Sequence, residues 1–177
     1  IYQHTDPLRV PHDALNDRVN AVLLELEMEK TNGLDLMRKL RNETGTAIAF
    51  ITHDLGVVSE MCDRVLVMYC GEIMEEALIA DIFSTPLHPY TEGLISTLPK
   101  FGQGGMLNTI PGTVPPAGHY PTGCVFAPRC KYATAKCLEV EPELLEVAPG
   151  QKVRCHYPEK EVRRSEEHRK ALVNNKP

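Results

Sequence analysis

The hydrophobic and polar positions change from a helical to an extended pattern in the first half of the chain. Leu34, Met37 and Leu40 share one face of a helix that the spacing predicts over residues 34–42. The apolar run at residues 47–51 is typical of a parallel strand that is buried on both faces. A helix followed by a buried strand is half of an α/β unit, so we predict an α/β fold.

A β-hairpin is predicted after this unit. Two runs rich in β-forming residues, 64–69 and 72–75, are separated only by Cys70 and Gly71. The glycine supplies the positive φ that a two-residue hairpin turn needs. A short helix over residues 55–62 is predicted to lead into the hairpin.

Helices and turns are predicted on either side of these elements. Apolar residues recur at helical spacing over residues 13–29, which predicts an amphipathic helix. Residues 77–84 and 89–97 are predicted as two short helices around a proline-bounded turn. The stretch 110–128 is so rich in proline that long helices are excluded, and residues 99–105 have the composition of a linker.

Length and charge narrow the function classes. A chain of 177 residues can form one ordinary domain or two small ones. Its net charge of -5 gives no electrostatic footprint for nucleic acid, so no nucleic-acid partner is predicted. No apolar run approaches the roughly 18 residues that a membrane span needs, and the first residues lack the pattern of a signal peptide. We expect a soluble chain whose attachment to a membrane would need a partner.

The predicted strand leads directly into Thr52, His53 and Asp54. In open α/β sheets the carboxyl ends of the strands form the edge at which ligands bind. His53 is therefore a candidate for contact with a bound phosphate. The alternative is a capping histidine that has no ligand.

The six cysteines fall into two sets. Cys62 and Cys70 lie near the predicted hairpin and are interpreted as structural, because a small, weakly polar side chain suits a buried position. The other set has the spacing C-x5-C-x6-C-x17-C and comprises Cys124, Cys130, Cys137 and Cys155. These lie in a region that is rich in Pro and Gly, which buries little core and needs a cross-link or a metal to hold its shape.

Three kinds of site remain open for these four cysteines on the residues alone. Disulfides are the weakest option, because no export signal is present and cytosolic thiols stay reduced. Four thiolates satisfy tetrahedral zinc, although the usual C-x2-4-C spacing is absent. A 4Fe-4S cluster also takes four thiolates and tolerates wider, irregular spacings. His156 is a further candidate ligand in place of one cysteine.

Residues 34–156 resemble the end of an ABC-transporter nucleotide-binding domain, in the branch that imports dipeptides, oligopeptides and nickel. The resemblance is carried by FITHD at residues 50–54, by HPYT at residues 88–91, and by the pattern G-C-x-F-x-P-R-C that begins at Gly123. It implies a partial P-loop NTPase-type domain followed by a small, loop-rich, Cys-rich C-terminal domain.

The resemblance also implies roles for individual residues. The histidine that follows the FIT strand in this family is the switch residue that contacts the γ-phosphate of ATP, which makes His53 the candidate catalytic and cofactor-binding residue. In members of this branch the C-terminal cysteines can hold a 4Fe-4S cluster, with Zn²⁺ as the alternative. The matching ligands are Cys124, Cys130, Cys137 and Cys155. Arg129 and Lys131 are candidates for offsetting the negative charge of such a cluster.

Three motifs of a complete family member do not occur in this sequence: a Walker A loop, an LSGGQ-type signature, and a Walker B strand ending in Asp-Glu. The position of the family's catalytic glutamate corresponds to Asn20, and Gln3 only faintly resembles the Q-loop glutamine. Phosphoryl transfer needs a phosphate cradle, a magnesium site and a water-orienting residue together. We therefore expect this chain alone not to hydrolyse ATP.

The function that the resemblance implies is ATP-dependent import of di- and oligopeptides, with ATP and Mg²⁺ as cofactors of the complete protein. The implied partners are permease subunits and a second ATP-binding subunit, with an indirect link to a periplasmic or extracellular peptide-binding protein. The implied location is the cytoplasmic face of the cell membrane. The alternative is a non-catalytic iron-sulfur or zinc module that acts in assembly or redox regulation.

The predicted organisation has four segments. Residues 1–33 are unassigned and helical in pattern, residues 34–98 form the end of the nucleotide-binding domain, and residues 99–158 form the Cys-rich domain. Residues 159–177 form a tail with charges of both signs, which predicts an exposed helix or a disordered end.

Overall fold

The computed structural model describes residues 33–45, 47–49, 51–98 and 109–172. The chain divides into two compact units, residues 1–54 and 55–177. The described elements are, in chain order, α1 (Gly33–Thr44), α2 (Leu55–Met61), β1 (Arg64–Tyr69), β2 (Glu72–Leu78), α3 (Ile79–Ser84), α4 (Pro89–Ser96), the 3-10 turn Ala127–Arg129, α5 (Ala135–Glu139), β3 (Leu145–Ala148), β4 (Gln151–Val153), α6 (Lys160–Arg164) and α7 (Glu166–Ala171). The predictions for residues 13–29, Asn20, Gln3 and the linker 99–105 lie outside the described residues.

The predicted helix at 34–42 is confirmed as α1 in the first unit. Its buried face consists of Leu36, Met37 and Leu40, so Leu36 takes the buried place that the spacing had given to Leu34. Arg41 in the last turn carries the charge that the carboxyl end of a helix dipole favours.

The predicted strand at 47–51 is wrong for the residues that can be checked. Residues 47–49 and Ile51 are not in a strand, and Ile51 is 94% exposed. A parallel strand must hydrogen-bond to neighbouring strands, and the described residues of the first unit contain no strand that could pair with it. The apolar run is typical of a buried strand, but the described residues of the first unit provide no neighbouring strand to pair with it.

The predicted hairpin is confirmed in the second unit, where β1 and β2 pair antiparallel from Arg64–Leu78 to Tyr69–Glu72. The two turn residues have positive φ, 51° at Cys70 and 86° at Gly71, as a type I′ turn requires. The sequence indicated this conformation for the glycine alone. The helix that precedes the hairpin is also confirmed, as α2.

The second unit is a mixed α/β structure around a small antiparallel sheet with the strand order β1-β2-β4-β3. The β3–β4 hairpin was not predicted. β3 has only four residues and β4 only three, and all four residues of β3 are exposed. Pairing of Glu75 with Val153 joins the first hairpin to the second. The sheet thus connects residues on both sides of the predicted boundary at 98/99, while the division into domains stays a prediction.

Two apolar clusters hold this unit together. One lies under the first hairpin and contains Val67, Ala77 and Ile82. The other packs the end of that hairpin against the cysteine segment and contains Tyr69, Met74, Cys124, Val125, Phe126, Ala127, Ala133 and Cys137. Among the described residues, no helix has the length and apolar character needed to cross a membrane.

Candidate functional site

His53 lies in the first unit, in a stretch without regular structure, and its side chain is exposed. The hydroxyl of Thr52 accepts a hydrogen bond from the backbone N–H of Asp54 at 3.0 Å, which forms a local turn centred on His53. An exposed imidazole is free to meet a ligand. Its role as the switch residue stays a prediction.

The four predicted cysteines line one pocket in the second unit. Cys124 and Cys130 flank the 3-10 turn, Cys137 lies in α5, and Cys155 follows β4. None of these four described cysteines is part of a disulfide. The structure thus brings together four side chains that come from a turn, a helix and the segment after a strand.

Gly123 explains how the first and third cysteines come together. The backbone N–H of Cys124 donates a hydrogen bond to the carbonyl of Cys137 at 2.8 Å. A Cβ on residue 123 would lie far inside contact distance of that same carbonyl oxygen. Only glycine allows this approach of two backbones, so the glycine of the G-C-x-F pattern has a packing reason.

Three of the four pocket thiols are held in the neutral form. Burial raises the pKa of Cys124 to about 11, of Cys130 to about 12 and of Cys155 to about 11. Backbone N–H groups oppose this shift, and the neighbouring thiols add to it. Without a bound cation these side chains are therefore thiols at neutral pH, and a metal would have to displace their protons.

The pocket is not a preassembled metal site. Within the described ranges, no group of three or more His, Cys, Asp or Glu side chains is placed to hold a metal ion. Two of the sulfurs make weak hydrogen bonds instead, Cys137 with the hydroxyl of Thr134 at 3.5 Å and Cys155 with the N–H of Tyr157 at 3.4 Å. The donor chemistry suits a four-thiolate centre, but the described side chains are not arranged around a metal position.

His156 also lines the pocket, but its ring is engaged elsewhere. Its Nε2 lies 2.9 Å from the carbonyl oxygen of Val140. This contact holds the segment after β4 against the segment after α5. The alternative in which His156 replaces one cysteine as a ligand stays a prediction.

His88, the first residue of the HPYT element, forms part of the same pocket and is 1% exposed. Its Nδ1 accepts a hydrogen bond from the N–H of Tyr90 at 3.0 Å, so the imidazole is the N-cap of α4. Burial, reinforced by the charge of Arg163, lowers the pKa of His88 to about 3. The ring is therefore neutral at physiological pH and acts as a cap and a pocket wall.

A buried carboxylate fixes this turn to the sheet. Glu75 on β2 is fully buried and accepts hydrogen bonds from the backbone N–H groups of Leu87 and His88, each at 2.8 Å. The side-chain amide of Gln151 on β4 lies at 3.5 Å from the same carboxylate. The HPYT turn is thus held by the side chain of Glu75, which in the sequence looks like any other polar residue of the predicted hairpin.

Arg163 is the pocket residue that the sequence missed. The charged tail was predicted as exposed, which is wrong at this position, because Arg163 on α6 is 1% exposed and lines the pocket. Its guanidinium donates to the carbonyl of Leu87, to Glu92 Oε2 at 3.4 Å and to the carbonyl of Tyr157 at 3.5 Å. A run of mixed charges gives no signal that distinguishes one buried arginine from its exposed neighbours.

The two cations proposed to offset a cluster have other partners. Arg129 donates to the carbonyls of Ile110 and Pro111 at 3.1 and 2.9 Å, and to the hydroxyl of Tyr69 at 3.3 Å. It anchors the proline-rich segment to the hairpin. The ammonium of Lys131 is 3.6 Å from Glu92 on a side chain that is 65% exposed.

Comparison with known proteins places this arrangement in context. Residues 74–137 match the family model described as the oligopeptide/dipeptide transporter, C-terminal region. The chain is 50% identical over 129 residues to the oligopeptide transport ATP-binding protein AppD of Bacillus subtilis, an alignment covering 72% of this chain and 39% of that protein. It is 40% identical over 149 residues to the dipeptide transport ATP-binding protein DppD of Haemophilus influenzae, covering 84% and 42% respectively.

A third relative, the probable peptide ABC transporter ATP-binding protein y4tR of Sinorhizobium fredii, is 42% identical over 147 residues, covering 82% of this chain and 41% of that protein. The chain spans about two fifths of the length of these relatives. The family match includes most of the hairpin strand β2, the HPYT turn and three of the pocket cysteines.

Proposed function

We propose that this chain, which corresponds to the C-terminal part of an ATP-binding subunit of the oligopeptide and dipeptide ABC transporters, acts in ATP-driven uptake of small peptides. The observation that carries the proposal is the family match, because the matched residues include Glu75, His88 and three of the four pocket cysteines. In the complete protein ATP and Mg²⁺ are the cofactors. The chain alone does not supply the phosphate cradle that hydrolysis needs.

The proposed partners follow from the same relatives. The subunit binds permease subunits and pairs with a second ATP-binding subunit at the cytoplasmic face of the membrane, and a peptide-binding protein delivers the substrate to the permease. His53 contacts the γ-phosphate in this assembly, for which an exposed imidazole is suited. Which peptides are carried depends on the binding protein and the permease.

Uptake of a labelled tripeptide tests this proposal. Cells lacking the gene for the complete subunit should lose uptake, and the wild-type gene should restore it. His53→Ala should lower the restored rate on the order of 100-fold, which is typical of removing one hydrogen-bond donor to transition-state charge. His119→Ala, at another exposed histidine, is the matched control. Full uptake with His53→Ala would remove the switch role, and unchanged uptake in the deletion strain would reject the transport function.

We further propose that the pocket holds a four-thiolate centre, either a 4Fe-4S cluster or Zn²⁺. The support is that all four predicted ligands line one pocket and that a bound cation would explain why thiols with raised pKa are gathered there. When bound, the centre cross-links the turn, α5 and the end of β4. This proposal stands apart from the transport function, because it concerns the stability of the C-terminal region.

Metal analysis after anaerobic purification tests the centre. A cluster should give about four irons with sulfide per chain, and a zinc site about one Zn²⁺. Both Cys124→Ser and Cys155→Ser should lose the metal, whereas Cys62→Ser, outside the pocket, should keep it. A wild-type chain without iron or zinc, also after reconstitution, would contradict the proposal.

A further inference from the structure

The charge inside the cysteine pocket is unbalanced. Arg163 contributes a permanent cation to the wall, and no carboxylate is among the described residues that line the pocket. The carboxylate nearest to the guanidinium is Glu92, which also pairs with Lys131 at 3.6 Å. One carboxylate thus faces two cations, and Arg163 is the only permanently charged side chain among the described residues that line the pocket.

One hydrogen-bond donor of this cation is also unused. Two terminal nitrogens of the guanidinium have partners in Glu92 and in backbone carbonyls, but Nε of Arg163 is buried and has no partner among the described residues. Its Cζ lies over the ring of Tyr132, 5.2 Å from the ring centroid, which is within the range of a cation–π contact. A buried charged donor without an acceptor is costly, so its presence points to an acceptor in the functional state.

We propose that Arg163 is the positioning residue that compensates the negative charge of the group held by the four cysteines. The inference rests on the proposed four-thiolate centre. Four thiolates around Zn²⁺ or around an oxidised 4Fe-4S core both give a net charge of about −2, so the requirement is the same for either group. The buried guanidinium supplies positive charge and an N–H donor beside the pocket, and the sulfurs of such a centre accept weak hydrogen bonds.

Metal affinity separates this role from simple packing. The metal-free chain is titrated anaerobically with Zn²⁺ against a chelator, and is separately reconstituted with iron and sulfide. Arg163→Met, which keeps the length and removes the charge, should weaken metal binding by about 10- to 100-fold, the usual effect of losing a partner of the ligands. Arg163→Lys should retain most of the affinity, because the charge stays. Lys131→Met removes the same charge at the surface and should change affinity less than about 3-fold.

Glu92→Gln gives the opposite test, and it keeps Arg163 in place. The amide oxygen can still accept from the guanidinium, but the competing negative charge is gone. This variant should bind Zn²⁺ or the cluster at least as tightly as the wild type. If the arginine acts only through packing, Glu92→Gln should weaken binding as much as Arg163→Met does.

The outcomes distinguish the two levels of the proposal. Equal affinity of Arg163→Met and the wild type, or equal losses in Arg163→Met and Glu92→Gln, would overturn the role of Arg163 and leave the four-thiolate centre standing. A wild-type chain that takes up neither Zn²⁺ nor iron would overturn the centre and, with it, this inference. Melting of the metal-free variants followed by circular dichroism confirms that each compared chain is folded.

Discussion

At the scale of single residues, polar groups that are fully buried do more to define this site than its surface charges. Glu75 uses its carboxylate to bind two consecutive backbone N–H groups, and His88 uses its ring nitrogen to cap the following helix. Each replaces a hydrogen bond that water would otherwise provide, because the turn is buried. The neutral ring of His88 is therefore part of the folded structure, and protonation would oppose it.

Acid should destabilise the chain through His88. Its pKa falls from about 6.5 in the unfolded chain to about 3 in the folded one, so the unfolded state gains a proton first as the pH falls. The stabilisation is complete above about pH 6.5 and is lost towards pH 3, at about 1.4 kcal/mol per pH unit for this group. His88→Asn keeps a capping acceptor without titrating. Urea unfolding at pH 7 and pH 4.5 should therefore show a smaller pH dependence for the variant, and equal slopes would contradict the assignment.

At the scale of elements, the sequence predicted those turns and helices whose structure depends on neighbouring residues. The Cys70–Gly71 turn, α2 and α4 were predicted close to their observed places, because a two-residue turn and a proline-led helix are fixed by neighbouring residues. The prediction of a strand at 47–51 was wrong because a strand forms only where a neighbouring strand can hydrogen-bond to it. The β3–β4 hairpin was missed for the related reason that its pairing with β2 lies more than 60 residues away in sequence.

The grouping of the four cysteines was predicted, and their surroundings were not. The cysteines are recognisable by residue type and spacing, and they do line one pocket. Glu75 and Arg163 resemble ordinary strand and helix charges in the sequence, and only burial distinguishes them. Burial is a property of the folded chain, so no local pattern could have shown that Arg163, rather than Arg129 or Lys131, faces the thiols.

At the scale of the whole molecule, the second unit closes around the pocket with segments that are distant in sequence. Arg163 and the carbonyl of Leu87 that it binds are 76 residues apart. A β-bridge between Thr134 and Leu172 holds the same C-terminal segment against the cysteine region. Residues 159–172 therefore act as a cover on the pocket, even though their composition is that of a charged surface.

Removing this cover should expose the thiols. In a Cys62→Ser, Cys70→Ser background, a chain that ends at Pro158 should react faster with Ellman's reagent than the full chain, because both contacts that close the pocket are gone. Each loss of about 1.4 kcal/mol in the free energy of opening raises the rate about tenfold. A full-length control with Lys160→Ala and Lys170→Ala changes the charge of the same segment but keeps Arg163 and the bridge, and it should react at the original rate. Equal rates in the truncated and full chains would show that the C-terminal segment does not cover the pocket.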